Sequence, residues 1–271
     1  MKRLKGIMDF DLFKRIIDEM GPHVKVVVLH IWGEPLIDEK IFDKIKYAKK
    51  YNVRIELSTN ITLLDGDKTR RIIDSGLDAI YLCLDGVTKE TYENVRLGAN
   101  FETVMKNIDQ FLEEKKKRNL KRPYVNIQIV DMKATHEEIE AFRKRWDIPE
   151  VDNINIKPLD TWGGQIQEVS DLEIEDRKLP NERFHCPNLW YHAHIYWDGT
   201  LVCCDRDFDA TYPLGNVKDG VMKAWNGEKM RNLREKHVNL DLDDVPSCSN
   251  CIEWSWWKPT RFTSWGNIPK E

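Results

Sequence analysis

The sequence predicts an α/β protein built on a parallel sheet, with a small cysteine-rich extension behind it. Two observations lead there. Strand-like runs alternate with helical ones as far as about residue 160, the pattern of βα units. Beyond that point the periodicity fades, and five of the six cysteines crowd between Cys186 and Cys251.

The elements follow in order. Residues 9–20, DFDLFKRIIDEM, set Phe10, Phe13, Ile16, Ile17 and Met20 at helical spacing, with an aspartate at the start and Gly21-Pro22 as the stop. Residues 24–31, VKVVVLHI, form a nearly continuous β-branched run, as expected of a strand buried on both faces. Helix 38–51 leads to strand 53–58, helix 66–75 to strand 78–84, helix 100–118 to strand 124–130, and helix 135–146 to strand 153–159. Parallel units carry ligand-binding residues at the C-terminal ends of their strands. Those ends read Trp32-Gly33-Glu34-Pro35, Ser58-Thr59-Asn60, Asp85-Gly86, Asp131 and Asp160-Thr161-Trp162-Gly163-Gly164, and all five are expected on one rim. Each taken singly is also ordinary turn and capping chemistry.

Composition narrows the function. A chain of 271 residues with 41% hydrophobic content builds one large domain, or a domain with an appendage. A net charge of −4 gives no reason to expect a nucleic-acid partner, and the run Lys115 to Arg118 reads as the solvated end of a helix. No stretch approaches the roughly 18 apolar residues of a membrane span, and no signal-peptide pattern opens the sequence. A cytoplasmic protein without a membrane partner is the expectation. Of the ten tryptophans, Trp254, Trp256, Trp257 and Trp265 crowd the C-terminus.

In a reducing compartment, gathered thiols point to metal ligation or redox work rather than bridges. The spacing is Cys186, twelve residues, Gly199, four residues, Cys204, a long gap, then Cys248-x-x-Cys251. Compact zinc ribbons pair their cysteines tightly at both ends, so an iron–sulfur cluster fits this spread better, and a closed zinc site stays open as the alternative. Tyr196-Trp197-Asp198-Gly199 reads as a hairpin turn that brings the first two ligands together. Residues 221–237 read as one amphipathic segment leading to the last pair. Cys83, between Leu82 and Leu84, reads as a small buried side chain. His185, His192 and His194 flank the first cysteine and read as structural. DRDFDA at 205–210 is no calcium loop, because Ala210 stands where that loop needs glycine and Asn216 where it needs glutamate.

The runs LHIWGEPLID, LSTNITLL and LCLDGVTKETYENVRLGANFETVMKNI together resemble the middle of a radical SAM enzyme, and the cysteine-rich half resembles its SPASM extension. The resemblance covers roughly residues 5–255. It implies a partial (βα) barrel at 1–165, a SPASM auxiliary-cluster domain at 180–257 and an aromatic tail at 258–271. It implies S-adenosylmethionine (SAM) and an auxiliary 4Fe-4S cluster as cofactors. Gly33, Glu34 and Pro35 would bind the SAM amino group, Thr59 and Asn60 border that pocket, Asp85 lies near the ribose, and Arg96 pairs the SAM carboxylate. Cys186, Cys204, Cys248 and Cys251 would hold the auxiliary cluster, with Cys203 the spare, and Asp205 would take a proton from the oxidised substrate. The sequence departs from the family in one respect: no cysteine precedes Cys83, so the CxxxCxxC segment of the SAM-cleaving cluster is missing. The expectation is therefore a fragment without the first barrel strand, which turns 24–31 into an exposed edge. The implied activity is that of an oxidoreductase or maturase acting on a peptide or small molecule with an external electron donor. A non-catalytic iron–sulfur or zinc-binding scaffold, or an electron-transfer protein, is the alternative.

Overall fold

A computed structural model describes residues 1–174 and 179–256. It divides into two compact units, one spanning Gly21–Leu159 and the other joining Met1–Met20 to the chain from Asp160 onward. The expected tail at 258–271, with Trp257 and Trp265, lies outside the described residues.

Helix α1 (Phe10–Met20) starts where Asp9 accepts from the amides of Asp11 and Leu12 at 2.9 and 3.1 Å. It belongs to the second unit, so the unit that carries the clustered cysteines is discontinuous in the chain. The reason is packing. Leu12, Ile16 and Met20 join the apolar cluster of Leu189, Leu201, Val221 and Leu233, and Glu19 accepts from the amides of Val221 and Met222 at 2.8 Å each.

The first unit runs β1 (Val26–Val28), α2 (Ile41–Ala48), β2 (Arg54–Thr59), α3 (Gly66–Asp74), β3 (Ala79–Cys83), α4 (Lys89–Val95), α5 (Phe101–Lys117), β4 (Tyr124–Asp131), α6 (Ile139–Trp146) and β5 (Asn153–Pro158). The strands lie side by side in chain order and every neighbouring pair is parallel. The helix expected at 135–146 is shorter because a 3-10 turn at His136–Glu138 takes up its start, and the one expected at 38–51 is observed as α2 alone, after a 3-10 turn at Pro35–Ile37. The helix expected at 100–118 is preceded by the separate α4, each capped by its own side chain, Thr88 and Asn100.

The two faces of this sheet differ. Ile55, Leu57, Ile80, Leu82, Val125, Ile127 and Ile129 are fully buried on one. The other carries Glu56, Ser58, Tyr81, Cys83, Asn126, Gln128, Asn153 and Asn155, set by the two-residue period of a strand. These side chains bond across strands. Asn153 donates to Asn126 and Asn155 to Gln128 at 2.9 Å, Gln128 reaches the Cys83 sulfur at 3.6 Å, and that sulfur lies 3.0 Å from the Ser58 hydroxyl. Cys83 is thus part of a polar row rather than apolar packing, because Leu82 and Leu84 point the other way. Strand β1 is shorter than expected and not buried on both faces: Val28 is 37% exposed. Its place at the sheet edge, with a neighbour on one side only, accounts for this.

The end of the sheet opposite the strand C-termini is fastened by carboxylates. Asp78 accepts from Lys49, Arg122 and the Ile55 amide, and Asp152 from Lys115 and the Val125 amide.

The second unit continues with α7 (Gln167–Ser170), α8 (Asn188–Tyr191), β6 (His194–Ile195), β7 (Thr200–Val202), β8 (Gly215–Asn216), α9 (Val221–Trp225), α10 (Glu228–Asn239) and α11 (Pro246–Ser249). Strands β6, β7 and β8 form a small antiparallel sheet. The hairpin turn lies where expected, with Gly199 at φ +87° and Asp198 accepting from the Thr200 amide. The segment 221–237 is two helices, not one. Gly227 is extended at φ −65°, ψ 162° and caps α10, so the chain turns between Trp225 and Glu228. Among the described residues, no helix is long and apolar enough to cross a membrane.

Candidate functional site

The second unit gathers its five cysteines. Cys186 precedes α8, Cys203 and Cys204 follow β7, Cys248 sits in α11 and Cys251 two residues after it, and all five line one cavity. None is in a disulfide. The Cys203 and Cys204 sulfurs are 4.0 Å apart, and the Ser247 hydroxyl is 3.2 Å from Cys203 and 3.9 Å from Cys248. Burial pushes the Cys186 thiol up to about 12. Cys204 is raised by its contact with Cys203 and then by burial, and Cys251 by burial and then by Glu253. Among the described residues, no three histidine, cysteine or acidic side chains close around one point as a single ion requires.

Buried cationic and polar groups complete the lining. Arg206 donates to Asp160 at 2.6 Å and Asp205 at 3.3 Å, and its Nε lies 3.6 Å from Glu253. These carboxylates keep its pKa raised although burial alone would lower it. Glu253 also accepts from the amide and hydroxyl of Thr161 at 2.8 and 2.6 Å. Arg183 holds the Cys248 and Ser249 carbonyls at 2.7 and 3.3 Å. Among the described residues, three that line the cavity have buried nitrogens without a hydrogen-bond partner: Nε of Arg183, Nε of Arg206 and both ring nitrogens of His237.

The loop after β5 serves this unit. Gly163 and Gly164 have φ +71° and +67°, and an added Cβ would lie 2.7 Å from the Ser247 carbonyl and 3.1 Å from that of Asn250. The close approach needs glycine on both counts. Asp160 to Gly164 therefore braces the segment carrying Cys248 and Cys251. Asp205 is held by Arg206 with its side chain 14% exposed. Asp207, inside the rejected calcium-like run, accepts from Thr211 and the Tyr212 amide as a turn residue. Of the flanking histidines, His185 meets Trp190 edge-on, His192 lies 2.7 Å from the Asn188 side chain, and His194 is half-buried, with desolvation of its ring lowering its pKa to about 4.

In the first unit the strand-end residues form two groups. Glu34 accepts from the Leu36 amide and Thr59 hydroxyl on one oxygen and from the Asn60 amide on the other, at 2.7–3.1 Å. Burial raises its pKa, opposed by those three donors. Gly33 has φ +105°, and a Cβ added there would meet no atom within 4 Å. Pro35 opens the 3-10 turn that Glu34 caps. Asp85, 2% exposed, accepts from the Val130 amide and from Nε and Nη2 of Arg96. Asp85 thus holds Arg96 in place. Asp131 pairs with His136 at 2.9 Å.

A profile of the radical SAM superfamily matches residues 1–145. The chain belongs to that superfamily. A SPASM iron–sulfur cluster-binding domain matches residues 186–252. The radical SAM chain is 24% identical to a tungsten-containing aldehyde ferredoxin oxidoreductase cofactor-modifying protein of Pyrococcus furiosus, across 98% of this chain and 85% of that one. It is 29% identical to an AdoMet-dependent heme synthase of Methanosarcina barkeri over 38% of this chain and 30% of that one. Among solved structures, SuiB of Streptococcus suis bound to its precursor peptide SuiA has TM-score 0.67 at 12% identity, covering 93% of this chain and 71% of that one. BtrN with AdoMet and 2-DOIA has TM-score 0.58 at 17% identity, covering 93% and 83%. The fold is the radical SAM α/β fold with its SPASM extension, and its cofactors are SAM and 4Fe-4S clusters.

The residues present fit both groups. Five thiols around one cavity are a full donor set for a cluster, and the partnerless nitrogens of Arg183, Arg206 and His237 suit an anionic sulfur-rich body. Open space beside Gly33 next to an anchored carboxylate suits a ligand approaching the backbone. The sequence did not single out Arg183, Arg206, Glu253 or His237. Arg206 stands two residues after Cys204, and His237 closes the buried stripe Met230, Leu233, His237 of α10, so the latter was legible from helical spacing.

Proposed function

We propose that this radical SAM/SPASM chain holds its auxiliary 4Fe-4S cluster on Cys186, Cys204, Cys248 and Cys251, and binds SAM beside Gly33, Glu34 and Pro35. The reaction it would serve is radical modification of a peptide or small-molecule substrate, as an oxidoreductase or cofactor maturase fed by an external electron donor in the cytoplasm, and SAM cleavage for it requires in addition the CxxxCxxC segment that this sequence does not contain. The convergence of the cysteines on one cavity carries this reading. The cofactor-modifying relative favours a maturase role. When bound, SAM supplies the carbon radical and the auxiliary cluster a site for one-electron transfer.

The protein's own residues divide the remaining work. Glu34 fixes the turn at the end of β1 and ties it to Thr59 and Asn60 at the end of β2. Thr59, 1% exposed, acts through Glu34, whereas Asn60 borders the open space. Arg96, aligned by Asp85, presents a guanidinium for a carboxylate. Asp205, paired with Arg206, is the candidate proton acceptor beside the cluster ligands. Cys203, bonded to Ser247, is left over.

The wide spacing of Cys186, Cys204, Cys248 and Cys251 along the chain favours a cluster over a compact zinc ribbon. The test is anaerobic reconstitution with iron and sulfide, then metal analysis. About four irons per chain are expected, and stoichiometric zinc with no iron would sink the assignment. For these 271 residues, which contain no CxxxCxxC, reduction with SAM is expected to yield no deoxyadenosine.

A further inference from the structure

We infer that His237 donates an N–H hydrogen bond to a sulfur of the auxiliary cluster and thereby sets its reduction potential. The inference rests on the cluster assignment above and adds a residue outside the four ligands.

His237 is 2% exposed and lines the thiol cavity, and neither ring nitrogen has a hydrogen-bond partner among the described residues. A buried imidazole left this way is costly, so a partner within the loaded cavity is expected. The groups it meets there favour donation over ligation. Four cysteines already complete a cubane, and the neighbouring Arg183 guanidinium makes a further cation unwelcome. Burial first, then Arg183 and His185, hold the imidazole neutral, which leaves one N–H to give. Its place is also fixed. His237 lies in the last turn of α10, on the stripe with Met230 and Leu233, so the ring cannot swing to solvent without unpacking the helix. A hydrogen bond to cluster sulfur stabilises the reduced, more negative state and raises the potential.

The experiment uses the full chain, reconstituted anaerobically. With 15N-labelled histidine, pulsed EPR of the reduced native protein should show weak hyperfine coupling to one nitrogen. His237→Leu should keep about four irons per chain, lose that coupling and titrate at a more negative potential. His237→Gln, which retains an N–H donor, should lie between the two. A strong coupling typical of direct ligation, or a native spectrum without histidine coupling, overturns the inference while the cluster assignment stands. An unchanged potential in a folded, iron-replete His237→Leu does the same. A native chain that takes up no iron removes the assignment and the inference with it. If His237→Leu fails to fold, the labelled native protein decides alone.

Discussion

The Cys251 sulfur lies 3.2 Å from Oε2 of Glu253, whose other oxygen accepts both the amide and the hydroxyl of Thr161. One buried carboxylate thus joins a cluster-ligand candidate, the loop after β5 and the Arg206 guanidinium. Burial alone would raise the Glu253 pKa, but Thr161 and Arg206 hold it below the usual carboxylate value. Glu253→Ala removes that anchor and leaves Arg206 with Asp160 and Asp205 alone. The expected loss is about 3 kcal/mol of stability, by analogy with broken buried pairs, read by denaturant unfolding. A loss below roughly 1 kcal/mol would show that the network is not structural.

Cys203 and Cys204 line the same cavity, yet only one is assigned as a ligand. Cys204→Ala is expected to take up less than half the iron of the native chain, and Cys203→Ala a full complement. Iron and sulfide counts on both variants decide, and the opposite pattern exchanges the two roles.

The glycine pair after β5 is tested by Gly163→Ala. Its Cβ would lie 2.7 Å from the Ser247 carbonyl, and its φ of +71° is strained for any L side chain. A destabilisation of about 1–3 kcal/mol is expected, with reduced iron retention because Ser247 adjoins Cys248. Unchanged thermal unfolding and iron content would show that the loop and α11 do not touch as described.

Glu34→Ala leaves the donors from Leu36, Thr59 and Asn60 unpaired. A loss of ~3 kcal/mol is expected, together with weaker SAM binding measured by calorimetry. Tight SAM binding by a folded Glu34→Ala protein would remove this residue from the cofactor site.

Glu138 gives a pH dependence. It accepts from the Val87 amide and the Thr88 and Thr91 hydroxyls, fastening the start of α4. Burial would raise its pKa, but these donors bring it below the ordinary 4.5. A depressed carboxylate stabilises the fold above its unfolded pKa, and that contribution is lost as pH falls through the folded value. The melting-point gap between native protein and Glu138→Gln should therefore be constant above pH 4.5 and shrink below it. A gap that widens in acid would reverse the sign.

The order of elements and the chemistry of the cysteine unit were written in the sequence. Helical and strand periods differ, so VRIELS, YVNIQIV and the helices between them declared parallel βα units, and Cys186, Gly199, Cys204 and Cys248-x-x-Cys251 declared a spaced thiol set. Even the polar face of the sheet was legible, since Asn126 and Gln128 alternate with Val125 and Ile127. Tertiary structure alone decided the rest, because it depends on contacts between residues far apart in the chain. Only packing drew α1 into the C-terminal unit, turned Asp160 to Gly164 toward the cysteines and set Asp85 on Arg96. It also left His237 facing the thiols with its nitrogens unpaired among the described residues. No local pattern encodes which buried donor goes unsatisfied; that is settled by residues up to tens of positions away that packing brings beside it.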